Sequence, residues 1–408
     1  MKVVAKPKPV EGSEWSKGFL FLEKPEPRVE RDEDVLIKVH AGAICGTDVG
    51  IYTCKESLRV EMLKARTDPV TVGHEFSGQI VDAGRKARTH LARLMLKKSK
   101  SGRGVARFTK RRSPGVLGRD RRFLQVLESD FFATAEMHVT CGVCAQCRVG
   151  ERHVCRNTVI KGVHDDGAWA AFVKVPASNV RIFPQSEIPP DIISFMDALG
   201  NATHTVMSAP VEGRTVAILG CGVQGLMAVA IAKHAGARRI YVTDASHAGA
   251  THDKLVSGRF ALAKRFGADH CFDVARADER RALFETVRSE TDNTGVDAAY
   301  EMSGNYNAYN DAARILRKGG VFSLLGIPAG ILGVDFAKNI IFKGVTVHGI
   351  IGRRVFQTWD QMELLLKRGL ARELVNNGFV THRFPLNKYD EAMAVIENGD
   401  AYKVLLKP

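Results

Sequence analysis

From Thr215 to Asp244 the chain runs through an apolar segment, TVAILG, then a helical pattern over Val223–His234, then a second apolar segment, RIYVTD. Two short continuous apolar runs joined by one helix predict parallel strands linked by a crossover. Gly220, Gly222 and Gly225 stand at GxGxxG spacing where the first strand gives way to the helix. There bare backbone can approach a pyrophosphate and helix N–H groups can receive it. The triplet alone is a weak signal, because glycines also serve tight strand-to-helix packing. Asp244, at the end of the second strand, strengthens it: a carboxylate there accepts hydrogen bonds from the adenosine ribose and repels a 2′-phosphate, which favours NAD over NADP. The rhythm continues through VDAAYEMSG and GGVFSLLGIP. The expected architecture is α/β, a doubly wound parallel sheet.

The half that precedes this pattern differs. Short β-branched runs, Val35 to Val39 and Gln79 to Val81, are bounded by Gly and Asp and read as strands of an irregular, mostly antiparallel domain. A chain of 408 residues, 45% hydrophobic, has material for two cores. The plan is a first domain over 1–198, the cofactor domain over 199–351, and a tail over 352–408 that rejoins the first. No stretch reaches the roughly 20 apolar residues of a membrane helix, and no export signal is visible, so a soluble cytoplasmic protein without membrane contact is expected.

Net charge is +14, but residues 85–125 hold 15 of the 59 Lys and Arg against one acid, Asp120, and so carry all of it. The rest of the chain is neutral, which argues against nucleic acid as the partner of the main body. Nonspecific polyanion contact through 85–125 is the exception, through counterion release. Residues 85–134 and 247–258 lack strand signals and are expected to be loops or disorder.

Four of the eight cysteines, Cys141, Cys144, Cys147 and Cys155, fall in a CxxCxxCx7C pattern. Four thiolates so close can enclose one tetrahedral Zn²⁺ in a closed, structural site; an iron–sulfur cluster is the competing reading. Cys45 in AICGTD with His74 and Glu75 in VGHEFSG form a second set, too few to close a site, which leaves the open position that catalysis requires. Each of the three also has a bland reading, as a buried thiol, a core histidine or a surface acid.

Together these motifs resemble the zinc-dependent medium-chain alcohol dehydrogenase family. A further run, GNATHT, EMSG, LGIP, IFKG, GIIGR, TW and THRF, resembles its threonine-oxidising branch. The resemblance implies a GroES-like β-rich catalytic domain beside a Rossmann domain, with one catalytic and one structural zinc per chain. It also implies NAD-dependent oxidation of L-threonine to 2-amino-3-oxobutanoate by hydride transfer, and a homotetramer. Polyol or secondary-alcohol oxidation, and a non-catalytic zinc- and nucleotide-binding scaffold with a nucleic-acid-binding arm, are the alternatives. Cys45, His74 and Glu75 would sit at the catalytic zinc, Asp197 would influence ligand exchange, and Thr47 would hand a proton to the cofactor ribose. Gln224, Asp244, Arg259, Leu325, Gly326, Ile327, Ile350 and Ile351 match cofactor-contacting positions.

There are three departures from the family pattern. Gly50 stands where the family's proton relay ends on a histidine. Arg259 follows Asp244 by fifteen residues instead of about five, so 247–258 must bulge. A strand and turn of the form GDRV is missing between Gly84 and Ala135, which leaves the sheet of the first domain short of a strand.

Overall fold

The computed structural model describes residues 1–98, 113–399 and 401–408. The chain divides into two compact units, Met1–Asp197 with Phe379–Pro408, and Ala198–Gly378. Among the described residues no helix is long and apolar enough to cross a membrane.

The second unit carries a six-stranded parallel sheet. From one edge to the other its strands are His270–Asp273, Arg239–Asp244, Thr215–Leu219, Val296–Glu301, Leu316–Leu324 and Thr346–Gly349. The three central strands are almost wholly buried, which explains the apolar runs within them. The helix expected over Val223–His234 has those bounds, and eight of its twelve residues are buried.

The first unit is built on a mixed sheet in the order Val180–Pro184, Phe131–Ala135, Phe76–Ala83, Asp34–Ala43, Lys403–Lys407 and Val380–Pro385, with Phe172–Pro176 also paired to Asp34–Ala43. A smaller sheet joins Leu20–Glu23, Lys2–Lys6 and Val70–Thr71. The tail re-enters this unit at Phe379. Helices Gln357–Leu365 and Ala371–Asn376, within the tail expected to rejoin it from 352, belong to the second unit.

Two expected loops are not loops. Within 85–134 the chain forms helices Arg85–Lys98, Pro114–Arg119 and Phe123–Asp130 and the strand Phe131–Ala135; residues 99–112 lie outside the described part. Ala87, Leu91 and Met95 are spaced four apart and no more than 1% exposed, and with Leu117, Phe123 and Leu127 they join the core around Val35, Ile37 and Ile182. One small apolar face per helix suffices for that, and the many arginines and lysines around it hide the face in a composition count. The strand thought missing is also present. Phe131–Ala135 pairs along its whole length with Val180–Pro184 and bridges to Gly78, so the sheet is not left short.

Segment 247–258 forms a bridge between His247 and Ala250, then the helix His252–Leu255 capped by Thr251, and runs on through a wide turn, Val256–Phe260. His252 Nδ1 lies 3.0 Å from Asp273 Oδ2, which ties the insertion to the sheet.

If the basic helix is part of the core, Leu91→Ala will lower stability by about 2–5 kcal/mol, whereas Arg93→Ala, on its exposed face, will stay within about 0.5 kcal/mol of the parent. Urea unfolding followed by circular dichroism tests this; equal small effects would show that the helix packs on nothing.

Candidate active site and metal centres

Cys45 is the N-cap of helix Gly46–Tyr52, in extended backbone, and its N–H donates to Asp48 Oδ2 at 2.8 Å. His74 and Glu75 lead directly into strand Phe76–Ala83 and are 4% and 1% exposed. Gly73, just before them, has φ +88°, and a Cβ there would meet the Trp169 ring at 2.1 Å. Only glycine lets the indole lie against this turn. The ligand atoms of Cys45, His74 and Glu75 all lie within 4.8 Å of one another.

The charges around this trio are buried. His74 Nδ1 faces Asp48 Oδ1 at 3.4 Å. Burial alone would lower the His74 pKa, but the charges of Asp48 and Cys45 reverse this and hold it well above its ordinary value. Burial and the neighbouring Glu75 push the Cys45 thiol up. Glu75 Oε2 accepts from Lys403 Nζ, while its Oε1 is buried with no partner. A thiol, an imidazole and a carboxylate with one orphaned oxygen suit a borderline divalent cation such as Zn²⁺, with a position left for another ligand.

Lys403 and Asp48 were not singled out by sequence reasoning. Lys403 opens the apolar strand Lys403–Lys407 and is 1% exposed, bonded to Glu75 and to Ile44 O. A lone lysine before VLL reads as surface; its pairing depends on strand register. Thr47 Oγ1 lies 4.0 Å from Cys45 Sγ. Asp197 is buried in the first turn of helix Met196–Val206 and is not among the three converging ligands. Gly50 is buried, and a Cβ there would fall 2.3 Å from Leu58 Cδ1. The slot where the relay histidine was expected is filled by Leu58.

The ligand atoms of Cys141, Cys144, Cys147 and Cys155 also converge within 4.8 Å. Cys155 Sγ is 3.8 Å from Cys144 Sγ and 3.6 Å from Cys141 Sγ. That is the edge of a tetrahedron around one ion with Zn–S bonds of about 2.3 Å, close to 3.8 Å. It is far from the roughly 2.05 Å of a disulfide, and it leaves no room for a multi-iron cluster. Backbone N–H groups of Val143 and Cys144 aim at the Cys141 sulfur and lower its pKa to about 6, whereas burial and the neighbouring thiols push Cys147 up to about 12.

In the second unit the residues expected to hold a dinucleotide stand at the carboxyl ends of the parallel strands, where such sheets bind ligands. Gly220 has φ +107° and no room for a Cβ beside Ser303. Gly225 would put a Cβ 1.8 Å from the Gly220 carbonyl, so it permits close packing, whereas Gly222, at the helix N-terminus, faces open space. Gln224 Oε1 is buried without a partner. Asp244 accepts from Ala245 N at 3.0 Å and from Arg259 Nη1 at 3.0 Å. The longer spacing to Arg259 is thus absorbed by an ordered helical turn instead of a loose bulge. Leu325 N donates to Glu301 O, and Ile350 N to Leu324 O. A Cβ at Gly326 would fall 2.1 Å from Gly304 N. Ile327 is 89% and Ile351 57% exposed, apolar surface that a bound ring system could cover. Glu301, buried at a strand end, accepts from Ser303 N and Gly304 N and so shapes the EMSG turn; burial raises its pKa against those bonds.

Residues 31–113 match the family described as alcohol dehydrogenase GroES-like domain, and residues 224–368 match zinc-binding dehydrogenase. The chain is 35% identical over 391 residues to the L-threonine 3-dehydrogenase of Caldanaerobacter subterraneus subsp. tengcongensis, covering 96% of both. It is 36% identical to the L-threonine 3-dehydrogenase of Burkholderia vietnamiensis, over 93% of this chain and 94% of that one. The structure of galactitol-1-phosphate dehydrogenase from Escherichia coli shares the fold, with a TM-score of 0.74 and 23% identity over 100% of both chains. The converging Cys45, His74 and Glu75, the four-cysteine lobe and the glycine turn of the parallel sheet agree with those matches: the chain belongs to the zinc-dependent medium-chain alcohol dehydrogenases, close to the L-threonine 3-dehydrogenases.

Proposed function

We propose that this enzyme oxidises the secondary hydroxyl of L-threonine to give 2-amino-3-oxobutanoate, with NAD as oxidant. The observation that carries the reading is the convergent Cys45, His74 and Glu75 trio, in a chain that matches enzymes named for this activity over nearly its whole length.

Cys45, His74 and Glu75 would hold the catalytic zinc and the four-cysteine lobe the structural one. A zinc at the open site supplies Lewis acidity that lowers the pKa of a bound hydroxyl, and the nicotinamide accepts the hydride. Around them the protein's own groups have distinct tasks. Lys403 neutralises and orients Glu75, leaving Oε1 for the metal. Asp48 fixes the Cys45 backbone and faces the His74 ring, which sets its orientation. Thr47, whose hydroxyl lies 4.0 Å from the Cys45 sulfur, is the candidate for moving the proton away. Asp197 would influence ligand exchange at the metal from its helix.

The zinc-loaded chain is expected to produce NADH from L-threonine faster than from sorbitol or 2,3-butanediol, and metal analysis is expected to give two zinc ions per chain. A chelator should remove the open-site ion first and abolish turnover with the circular dichroism spectrum intact, while Cys144→Ser should lower the melting temperature. A preference for a polyol would replace the substrate assignment, and one ion or none per folded chain would contradict the double zinc site.

NAD preference rests on Asp244, whose pairing with Arg259 adds a condition. Asp244→Ser removes the repulsion of a 2′-phosphate and also frees a guanidinium able to bind one. The ratio of kcat/KM for NAD to that for NADP should fall at least about tenfold, or about 1.4 kcal/mol. An unchanged ratio would mean that the carboxylate does not meet the ribose.

With Leu58 in the way, Gly50→His alone should perturb packing. Gly50→His combined with Leu58→Ala has room for the ring, and it should raise kcat near pH 7 severalfold over Leu58→Ala alone, because imidazole titrates in that range. Superimposable pH–kcat profiles for the two variants would show that protons leave by another route.

A further inference from the structure

The parallel pairing of Arg239–Asp244 with His270–Asp273 sets Asp273 directly beside Asp244 at the carboxyl edge of the sheet. A single helical run, from His252 to Phe260, answers both carboxylates. Arg259 Nη1 lies 3.0 Å from Asp244 Oδ2, while His252 Nδ1 lies 3.0 Å from Asp273 Oδ2 and 3.6 Å from Glu279 Oε1. Asp273 is fully buried, and its Oδ1 accepts from Ser246 N at 2.9 Å and Ala275 N at 3.2 Å. Burial would raise its pKa, yet hydrogen bonds from Ser246, His252 and Ala275 hold it below the usual carboxylate range. A buried carboxylate is tolerated only with such partners in place. Glu279 is itself answered by Arg276 at 3.3 Å, so among the described residues the one basic side chain on Asp273 is His252.

Asp244 and Arg259 stand fifteen residues apart in the chain, so their contact depends on how the insertion between them is seated. The bridged turn His247–Ala250 and the helix from His252 take up the extra length. Among the described residues, His252 is the one side chain of 247–258 bonded to another part of the chain; the remaining side-chain bonds of the insertion stay within it. Leu255 adds an apolar anchor, 2% exposed. Apolar burial is non-directional and lets a helix slide. A hydrogen bond at a set distance and angle does not, and His252 therefore fixes where along the sheet edge the run to Arg259 sits.

We propose that His252 is a positioning residue for the adenosine half of the dinucleotide: seated on Asp273, it places the insertion so that Arg259 lies on Asp244, where the pair receives the adenosine ribose. The inference rests on the NAD reading of this site. Asp244 supplies acceptors for the ribose hydroxyls, and a guanidinium occupied by Asp244 has little to offer a 2′-phosphate. Without the bond to Asp273 the run shifts and Arg259 leaves Asp244, which loosens the seat for NAD.

NADH binding to the full-length, zinc-loaded protein, followed by nicotinamide fluorescence, tests this apart from turnover. His252→Ala should raise the NADH Kd about tenfold. His252→Asn, whose amide N–H takes the place of the ring Nδ1–H, should bring it back to within about threefold of the parent. In kinetics the rise should fall on KM for NAD and spare KM for L-threonine. In an Arg259→Ala background, His252→Ala should change Kd by less than about twofold, because its effect runs through Arg259. Should His252→Ala unfold for want of a partner to Asp273, His252→Ala with Asp273→Asn, which leaves no unpaired carboxylate, carries the same expectation. Unchanged NADH binding in folded His252→Ala, no recovery with His252→Asn, or losses that add in the Arg259→Ala background would overturn the positioning role alone. An unaltered protein that does not bind NADH would overturn it together with the cofactor reading.

Discussion

The arrangement of the first unit depends on hydrogen-bond register around Gly42 and Ala43. Strand Asp34–Ala43 pairs on one side with Phe76–Ala83, Gly42 opposite Phe76, and on the other with Lys403–Lys407, Ala43 opposite Leu405. Ala43 N donates to Glu75 O and Ile44 N to Val404 O. Cys45, Glu75 and Lys403, far apart in sequence, are each delivered within a few residues of those pairings. A slip of one residue in either pairing would turn Glu75 or Lys403 to the opposite face and leave a buried charge unmatched, so sheet and site specify each other.

The cost of this construction is electrostatic. Asp48, His74, Glu75 and Lys403 are all at most 4% exposed, and buried charges are tolerated only when paired and hydrogen-bonded. Lys403 answers Glu75 and His74 faces Asp48, yet Glu75 Oε1 is left without a hydrogen-bond partner. That orphaned carboxylate oxygen distinguishes the trio from a satisfied structural network. The four-cysteine lobe follows a simpler logic: its sulfurs are already at the spacing of a tetrahedral edge, held by a short stretch of chain whose amides point at them.

How much of this was legible in the sequence depended on how local the cause was. The glycine turn, its helix and the strand ending at Asp244 showed at their observed positions because each follows from neighbours in the chain: apolar runs for buried strands, glycine where a Cβ would collide. The four-cysteine lobe was legible for the same reason. Helix Arg85–Lys98 was not, since a helix needs only Ala87, Leu91 and Met95 in line to find its core, and the surrounding cations dominated the reading. Strand Phe131–Ala135 does not carry the GDRV form expected there, and only its pairing with Val180–Pro184 marks it as a strand of the sheet.

By itself the sequence determined the class of architecture, the parallel sheet with its glycine turn, the members of the two converging clusters of Cys, His and Glu, and the family, because these rest on spacing and residue type within short windows. Only the tertiary structure decided that Lys403 answers Glu75, that Leu58 occupies the space beside Gly50, that Arg259 pairs with Asp244 across a longer insertion, and that His252 meets Asp273. Each of these joins residues through strand register or side-chain packing, and the energy that selects such a partner comes from burial, which exists only once the chain has folded.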